Sequence, residues 1–184
     1  MNYTSLPGVL SEKAVKEHLK LFNGYKEMLE RTDDALMMDP KPESSALDHQ
    51  FRHTVWSQSY ALSGVMLHDL YFNSLSLKPG KPDGTLLKLI ETNYGDVETL
   101  YKNMKSVALV YRGWAVLAQN VTDKSIRIIG VDSHEEGSLF GFLPILPIDA
   151  WEHAYWMDWG TNKAGYLDAL EKYIDWSIVS SRVI

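Results

Sequence analysis

The chain has 184 residues, of which 45% are hydrophobic, so it can bury the core of one domain or of two small packed layers. It contains no cysteine, which excludes disulfides, thiolate zinc sites and iron–sulfur clusters and leaves Asp, Glu and His as metal ligands. The net charge of −6, without any basic run, argues against nucleic-acid binding.

The amino-terminal residues lack the basic region and apolar core of a secretory signal peptide. No apolar stretch is long enough to span a bilayer, so we expect no membrane association. The absence of cysteine fits a reducing compartment. Together these features predict a cytoplasmic protein.

Two long helices are predicted in the amino-terminal half. Ser11 has the position of an N-cap, and apolar residues then recur every three or four positions to about Arg31, with His18 on the same face. A loop is predicted over residues 39–45, followed by a second helix over residues 46–74. The second helix contains three histidines, His49, His53 and His68.

These histidines allow more than one interpretation. A single histidine on an apolar helix face, such as His18, is more often a buried core residue than a metal ligand. His49 and His53 are four residues apart and could bind a metal together. They lie among polar residues, however, and are more typical of an exposed helix face.

A boundary is predicted over residues 78–84, where proline and glycine are most frequent. It divides an amino-terminal helical hairpin (residues 1–78) from a carboxyl-terminal half (residues 83–184). Two further helices are predicted after it, over residues 85–93 and 97–107.

The pattern then changes to strands, which are predicted over residues 113–119, 125–131 and 143–148. Residues 122–124 would form the hairpin turn between the first two strands. A last helix is predicted to follow Gly165. Its apolar side would contain Leu170, Tyr173, Ile174 and Trp176.

Asp149 and His153 are four residues apart and follow directly after the third predicted strand. A carboxylate oxygen and an imidazole nitrogen suit iron, manganese or zinc better than calcium or magnesium. The alternative is that Asp149 caps a helix and that His153 is a hydrogen-bonded core residue. Spacing alone leaves both interpretations open.

The residues Asp149-Ala150-Trp151-Glu152-His153-Ala154-Tyr155 resemble the carboxyl-terminal metal signature of the iron/manganese superoxide dismutases. In that family this Asp and this His are two of four protein ligands. His18 follows Leu10-Ser11 at the family's interval for the first ligand. His68, which is followed by aromatics, Asn and Leu as in the family, fits the second ligand better than His53.

The resemblance also implies the surroundings of the metal. Tyr25 would be the tyrosine that gates the substrate channel, and His134 would hydrogen-bond the metal-bound solvent; the alternative for His134 is a solvated loop residue. Tyr71, Phe72, Trp114 and Trp151 would form the apolar wall of the pocket.

The chain departs from the usual family pattern in four ways. It has no second histidine after His18, and Tyr25 comes one residue early, so that a bulge at Gly24 would restore the register. Trp156 replaces the usual tyrosine, and Gly64 occupies the position of an iron-type glutamine. With Gly64 on the helix and His134 on the strand, the pattern resembles the manganese-like, metal-tolerant branch.

The resemblance therefore implies an α+β fold, with an N-terminal helical hairpin packed on a C-terminal half that has a three-stranded antiparallel sheet and flanking helices. It implies dismutation of superoxide at one iron or manganese ion per chain. It also implies a homodimer or a tetramer, with Glu152 and Trp156 at the subunit interface. Two alternatives remain: a mononuclear metal protein with another oxygen chemistry, and a scaffold or interaction subunit that has lost catalysis.

Overall fold

Two long helices form the amino-terminal half of the protein, as predicted. The computed structural model describes residues 5–40, 44, 49–136 and 139–184. Helix α1 spans Glu12–Met37 and helix α2 spans His49–Asn73, and the two pack as a hairpin. The start of the second helix was predicted at residue 46, which lies outside the described residues, as does most of the predicted loop over residues 39–45. No helix in the described part of the chain is long and apolar enough to cross a membrane.

Helix α1 begins at the predicted cap, because the Ser11 hydroxyl accepts a hydrogen bond from the Ala14 amide. Its buried face includes His18 and Phe22, one turn apart. The helix continues to Met37 rather than ending near residue 31, and buried Thr32, whose hydroxyl donates to carbonyls one turn earlier, lies in this extra part.

A three-stranded antiparallel sheet forms the centre of the carboxyl-terminal half. Strand β1 spans Trp114–Asn120, β2 spans Ile126–Val131 and β3 spans Phe142–Asp149, in the order β2-β1-β3. The register places Trp114 opposite both Val131 and Asp149. The ends of β2 and β3 therefore meet at Trp114, so residues that follow these two strands come close together.

Five helices flank the sheet, and with the hairpin they confirm the predicted α+β fold. Helices α3 and α4 precede the sheet, and α5 to α7 follow it. Their bounds are Gly84–Tyr94, Val97–Val110, Glu152–Trp159, Lys163–Leu170 and Trp176–Ser180. The division of the chain into domains near residue 80 stays a prediction.

The prediction of one continuous last helix is wrong. After α6 the chain forms a 3₁₀ turn over Glu171–Tyr173, and Ile174 is extended and pairs with Leu75. Asp175 then caps α7, since its side chain accepts hydrogen bonds from the Ser177 and Ile178 amides. The apolar spacing is retained, but the cap starts a new helix.

Arg182, near the carboxyl terminus, connects the helical hairpin to the sheet by hydrogen bonds. The Arg182 guanidinium donates to the Ser74 hydroxyl (2.8 Å), the Ile145 carbonyl (2.7 Å) and the Leu70 carbonyl (3.2 Å). One side chain thus joins the end of α2 to strand β3. This contact fixes the helix of His68 relative to the strand that ends at Asp149.

Candidate metal centre

Four side chains from four elements converge on one point. His18 lies on α1, His68 on α2, Asp149 at the end of β3 and His153 in the first turn of α5, and one potential ligand atom from each lies within 4.8 Å of all the others. Asp149 Oδ2 is 3.1 Å from His18 Nε2, 3.6 Å from His68 Nε2 and 3.2 Å from His153 Nε2. Metal–ligand bonds of about 2.1 Å place adjacent ligand atoms about 3.0–3.4 Å apart, so these spacings fit one ion.

The cluster is buried and ready to bind a cation. His18 is 2% exposed, His68 and Asp149 are 0% exposed, and only the His153 side chain, at 21%, reaches the surface. The Nε2 atoms of His18 and His68 are buried without a hydrogen-bond partner among the described residues. Buried nitrogens of this kind beside a carboxylate fit a metal site.

At neutral pH, His18, His68 and Asp149 are in the protonation states that bind metal ions. Burial lowers the pKa of His18, and it lowers the pKa of His68 to about 3, so both imidazoles are neutral. Burial alone would raise the pKa of Asp149, but the interactions with His153 and His18 together outweigh it, and the pKa is lowered. A neutral imidazole and an ionised carboxylate are the states that metal ions bind.

Hydrogen bonds behind the cluster orient the ligands. His68 Nδ1 donates to the Gly64 carbonyl at 2.7 Å, which leaves Nε2 free to face the ion. Asp149 Oδ1 accepts from the Trp151 amide at 2.9 Å. The Asp149 carbonyl accepts from the Tyr166 hydroxyl at 3.1 Å, and that hydroxyl is 2.9 Å from the hydroxyl of Tyr71.

His134 lies beside the cluster, in the turn that follows β2. It is 2% exposed, so it is not the solvated loop residue of the alternative interpretation. Neither ring nitrogen has a hydrogen-bond partner, and its ring centroid is 5.7 Å from that of His68. Burial lowers the pKa of His134 to about 4, so the ring is neutral and can donate from one nitrogen.

Tyr25 reaches the same place from helix α1. Its ring centroid is 5.2 Å from His68 and 5.0 Å from His134. The helix is an uninterrupted α-helix, so the bulge expected at Gly24 does not occur. Burial raises the pKa of Tyr25, which keeps its hydroxyl protonated.

The four predicted wall residues surround the cluster. Tyr71 and Phe72 lie 5.8 Å and 4.8 Å from the His18 ring, Trp114 lies 4.9 Å from His68, and Trp151 lies 6.1 Å from His153, all between centroids. The indole nitrogens of Trp114 and Trp151 are buried without partners. The pocket is therefore apolar, with a few unpaired donors.

A known protein family matches a region of the chain that contains two of the four candidate ligands. The family model for "Iron/manganese superoxide dismutases, C-terminal domain" matches residues 82–182, which include Asp149 and His153. The chain belongs to the iron/manganese superoxide dismutase family. The matched region covers all three strands and the five helices α3 to α7 but not the hairpin that carries His18 and His68.

Relatives named for either metal resemble the chain. A "Superoxide dismutase [Fe]" from Aquifex aeolicus is 29% identical over 183 residues, covering 97% of this chain and 85% of the relative. "Superoxide dismutase [Mn] 1" from Halobacterium salinarum is 35% identical over 121 residues, covering 65% of this chain and 60% of the relative. The "Superoxide dismutase [Mn]" from Haloarcula hispanica is 36% identical over 107 residues, covering 58% and 74%.

The sequence analysis did not identify two residues that lie beside the cluster. Tyr60 lies on α2 with its ring centroid 4.6 Å from His134, and Phe22 stacks on His68 at 5.9 Å. Tyr60, Gly64 and His68 are spaced four residues apart and share one helix face, which is the signal that could have identified Tyr60.

Other candidate residues lie at the surface. Glu152 and Trp156 are exposed on α5, one turn apart, next to His153. His49 and His53 are exposed in the first turns of α2, and the His53 ring stacks on Trp56. The cluster of His18, His68, Asp149 and His153 is the candidate metal site of the described residues.

Proposed function

We propose that this protein is a superoxide dismutase with one iron or manganese ion per chain. The observation that carries the proposal is the convergence of the His18, His68 and His153 imidazoles on Asp149 Oδ2. Three imidazole nitrogens and one carboxylate suit iron or manganese and leave a coordination position for solvent or substrate. Such an ion, when bound, accepts an electron from one superoxide and gives an electron to the next.

The protein's own residues would supply the protons that this reaction needs. Two superoxide ions and two protons give one oxygen molecule and one hydrogen peroxide molecule, so protons must reach a site that excludes bulk water. Tyr25 and neutral His134 each carry a hydrogen-bond donor beside the cluster. We assign them the roles of orienting solvent at the site and passing protons to the product.

The two carboxylate oxygens of Asp149 have different roles. Oδ2 faces the three imidazoles, while Oδ1 accepts from the Trp151 amide. The carboxylate can therefore bind the ion without losing the bond that orients it. The wall of aromatic rings keeps the surroundings apolar, which strengthens each polar interaction at the site.

We also propose that the protein is a homodimer built on α5, or a tetramer of such dimers. His153 is the one candidate ligand with an exposed edge, and Glu152 and Trp156 are exposed next to it. A twofold contact at α5 would bury Trp156 and bring Glu152 close to the site of the other subunit.

Asp149→Asn tests the function directly. The variant keeps the size of the side chain and an acceptor for the Trp151 amide, but it loses the charge. We expect metal content and superoxide consumption to fall together by more than about tenfold. Asp168→Asn is the matched control, because Asp168 pairs only with Lys105 at the surface.

The assay also separates the alternatives. Metal-loaded protein that fails to consume superoxide would favour another oxygen chemistry, for which the missing second histidine and Trp156 leave room. Equal metal content and activity in Asp149→Asn and Asp168→Asn would contradict the proposed site.

A further inference from the structure

No hydrogen bond within the described residues holds the imidazole ring of His134 in place. Both ring nitrogens are unpartnered within the described residues, although the side chain is buried. Its ring contacts are aromatic, with Tyr60 at 4.6 Å and Tyr25 at 5.0 Å. With no hydrogen bond to the ring, the placement of His134 depends on these ring contacts and on the position of its backbone.

The neighbours of His134 provide that position. Glu135 Oε2 accepts a hydrogen bond from the Ser133 hydroxyl, and Glu135 Oε1 accepts one from Trp56 Nε1 at 3.1 Å. One carboxylate therefore closes the turn around His134 and joins this turn to helix α2. Partial burial alone would raise the pKa of Glu135, but the bonds from Ser133 and Trp56 outweigh it and lower the pKa, so the carboxylate stays ionised.

Helix α2 contacts this turn and also carries the candidate ligand His68. Trp56 and Tyr60 are one turn apart and their rings stack at 5.5 Å, with Tyr60 against His134. Two turns further along the same helix is the candidate ligand His68. A turn fixed to Trp56 is thus fixed relative to the candidate metal ligand itself.

We infer that Trp56 and Glu135 are positioning residues for His134. Their hydrogen bond, here called the Trp56–Glu135 clamp, sets the distance between the His134 imidazole and the candidate ligand His68 on α2. The inference rests on the proposed function for the role of His134. The clamp lies partly at the surface, where Trp56 is 47% exposed, so its loss should shift His134 without unfolding the core.

Loss of the exposed clamp should affect the buried site, because it would move His134. Displacing a functional group by about 1 Å can lower a rate by roughly a hundredfold. Residues that hold such a group typically change activity or affinity by about 10–100-fold when they are removed. We expect about a tenfold effect from the loss of the clamp, because Tyr60 still packs against His134.

Three variants test the clamp. Trp56→Phe keeps an aromatic ring but removes the N–H donor, and Glu135→Ala removes the acceptor. Glu135→Gln is the conservative rescue, because its amide oxygen can still accept from Trp56. Glu136→Ala is the matched control, since it removes the same charge from the same turn without touching Trp56.

Two readouts are needed on each variant. The first is superoxide turnover per bound metal in the loaded enzyme. The second is the nuclear magnetic resonance signal of the His134 ring in metal-free protein containing isotope-labelled histidine, assigned by its loss in His134→Ala. The second readout does not depend on activity, so a failure of the proposed function and a failure of the clamp are distinguishable.

We expect Trp56→Phe and Glu135→Ala to keep full metal content, to lower turnover about tenfold and to shift or broaden the His134 signal. The double variant should lose no more than Glu135→Ala alone, because Glu135→Ala already removes the bond that Trp56→Phe removes. Glu135→Gln and Glu136→Ala should resemble the wild type. Unchanged His134 signals in Trp56→Phe and Glu135→Ala, or a loss in Glu135→Gln as large as in Glu135→Ala, would overturn the inference.

Discussion

Gly64 lies directly against the imidazole of His134. A methyl group at Gly64 would be 3.0 Å from His134 Nδ1 and 3.2 Å from Tyr25 Cγ, which is closer than ordinary van der Waals contact. The absence of a side chain on α2 therefore provides the space that His134 occupies. This pairing connects a residue of the hairpin to a residue of the turn that follows β2.

Gly64→Ala should lower superoxide turnover while metal stays bound. The methyl group must push His134 or Tyr25 away from the centre, and a displacement of this kind costs about tenfold or more in rate. The same change should raise helix stability by up to about 1 kcal/mol, which partly offsets the strain. Turnover per metal and the urea midpoint of unfolding measure the two effects separately.

Gly24→Ala is the control, because a methyl group there would have no neighbour within 4 Å on a continuous helix. It should stabilise the protein by about 0.5–1 kcal/mol and leave turnover unchanged. Equal turnover in Gly64→Ala and Gly24→Ala would show that the space at Gly64 is not needed by His134.

The Tyr166 hydroxyl stabilises the protein from behind Asp149. Tyr166→Phe removes the donor to the Asp149 carbonyl and the partner of the Tyr71 hydroxyl, and both groups are buried. Buried polar groups left unpaired cost about 1–3 kcal/mol, so we expect a loss of this size in the free energy of unfolding. Tyr173→Phe, which removes an exposed bond to the Pro7 carbonyl, should cost about 1 kcal/mol or less. Equal losses in the two variants would argue against a supporting role for Tyr166.

Acid should destabilise the metal-free protein through its buried histidines. The folded-state pKa of His134 is lowered to about 4 from an ordinary value of 6.5. The unfolded chain therefore binds the proton first, and stability is full above pH 6.5 and is lost as the pH falls towards 4. At about pH 5 this single group accounts for about 2 kcal/mol.

His134→Gln removes this titration while keeping a polar side chain. Urea unfolding of both metal-free proteins at about pH 7 and pH 5 should show a smaller loss of stability in the variant. Identical losses would mean that His134 is not buried in its neutral form.

Trp156 should be required for the proposed dimer. Trp156→Lys places a charge in the contact on α5, so we expect the variant to sediment as a monomer. Val110→Lys is the control, because Val110 is 79% exposed on helix α4. A wild-type protein that is monomeric, or a Trp156→Lys variant that stays dimeric, would contradict this interface.

The carboxyl-terminal half could be predicted well from the sequence because its signals are local. Three apolar runs separated by turn residues became β1, β2 and β3, and the motif from Asp149 to His153 follows the last of them directly. His18 and His68 were predicted as ligands through the resemblance to the family's motifs, and both lie in the cluster.

Features that depend on long-range contacts could not be predicted. The apolar spacing from Leu170 to Trp176 fits one helix, and only the pairing of Ile174 with Leu75 and the cap at Asp175 divide it. The four-residue spacing places Tyr60 on the helix face of Gly64 and His68, but its contact with His134 depends on where the turn after β2 returns to α2.

Metal analysis of the purified protein, with superoxide dismutation assayed on the same sample, tests the central claim most directly. We predict about one iron or manganese ion per chain together with dismutation in proportion to the bound metal. Protein that binds neither ion, even after refolding with iron or manganese, would show that His18, His68, Asp149 and His153 do not form a metal site.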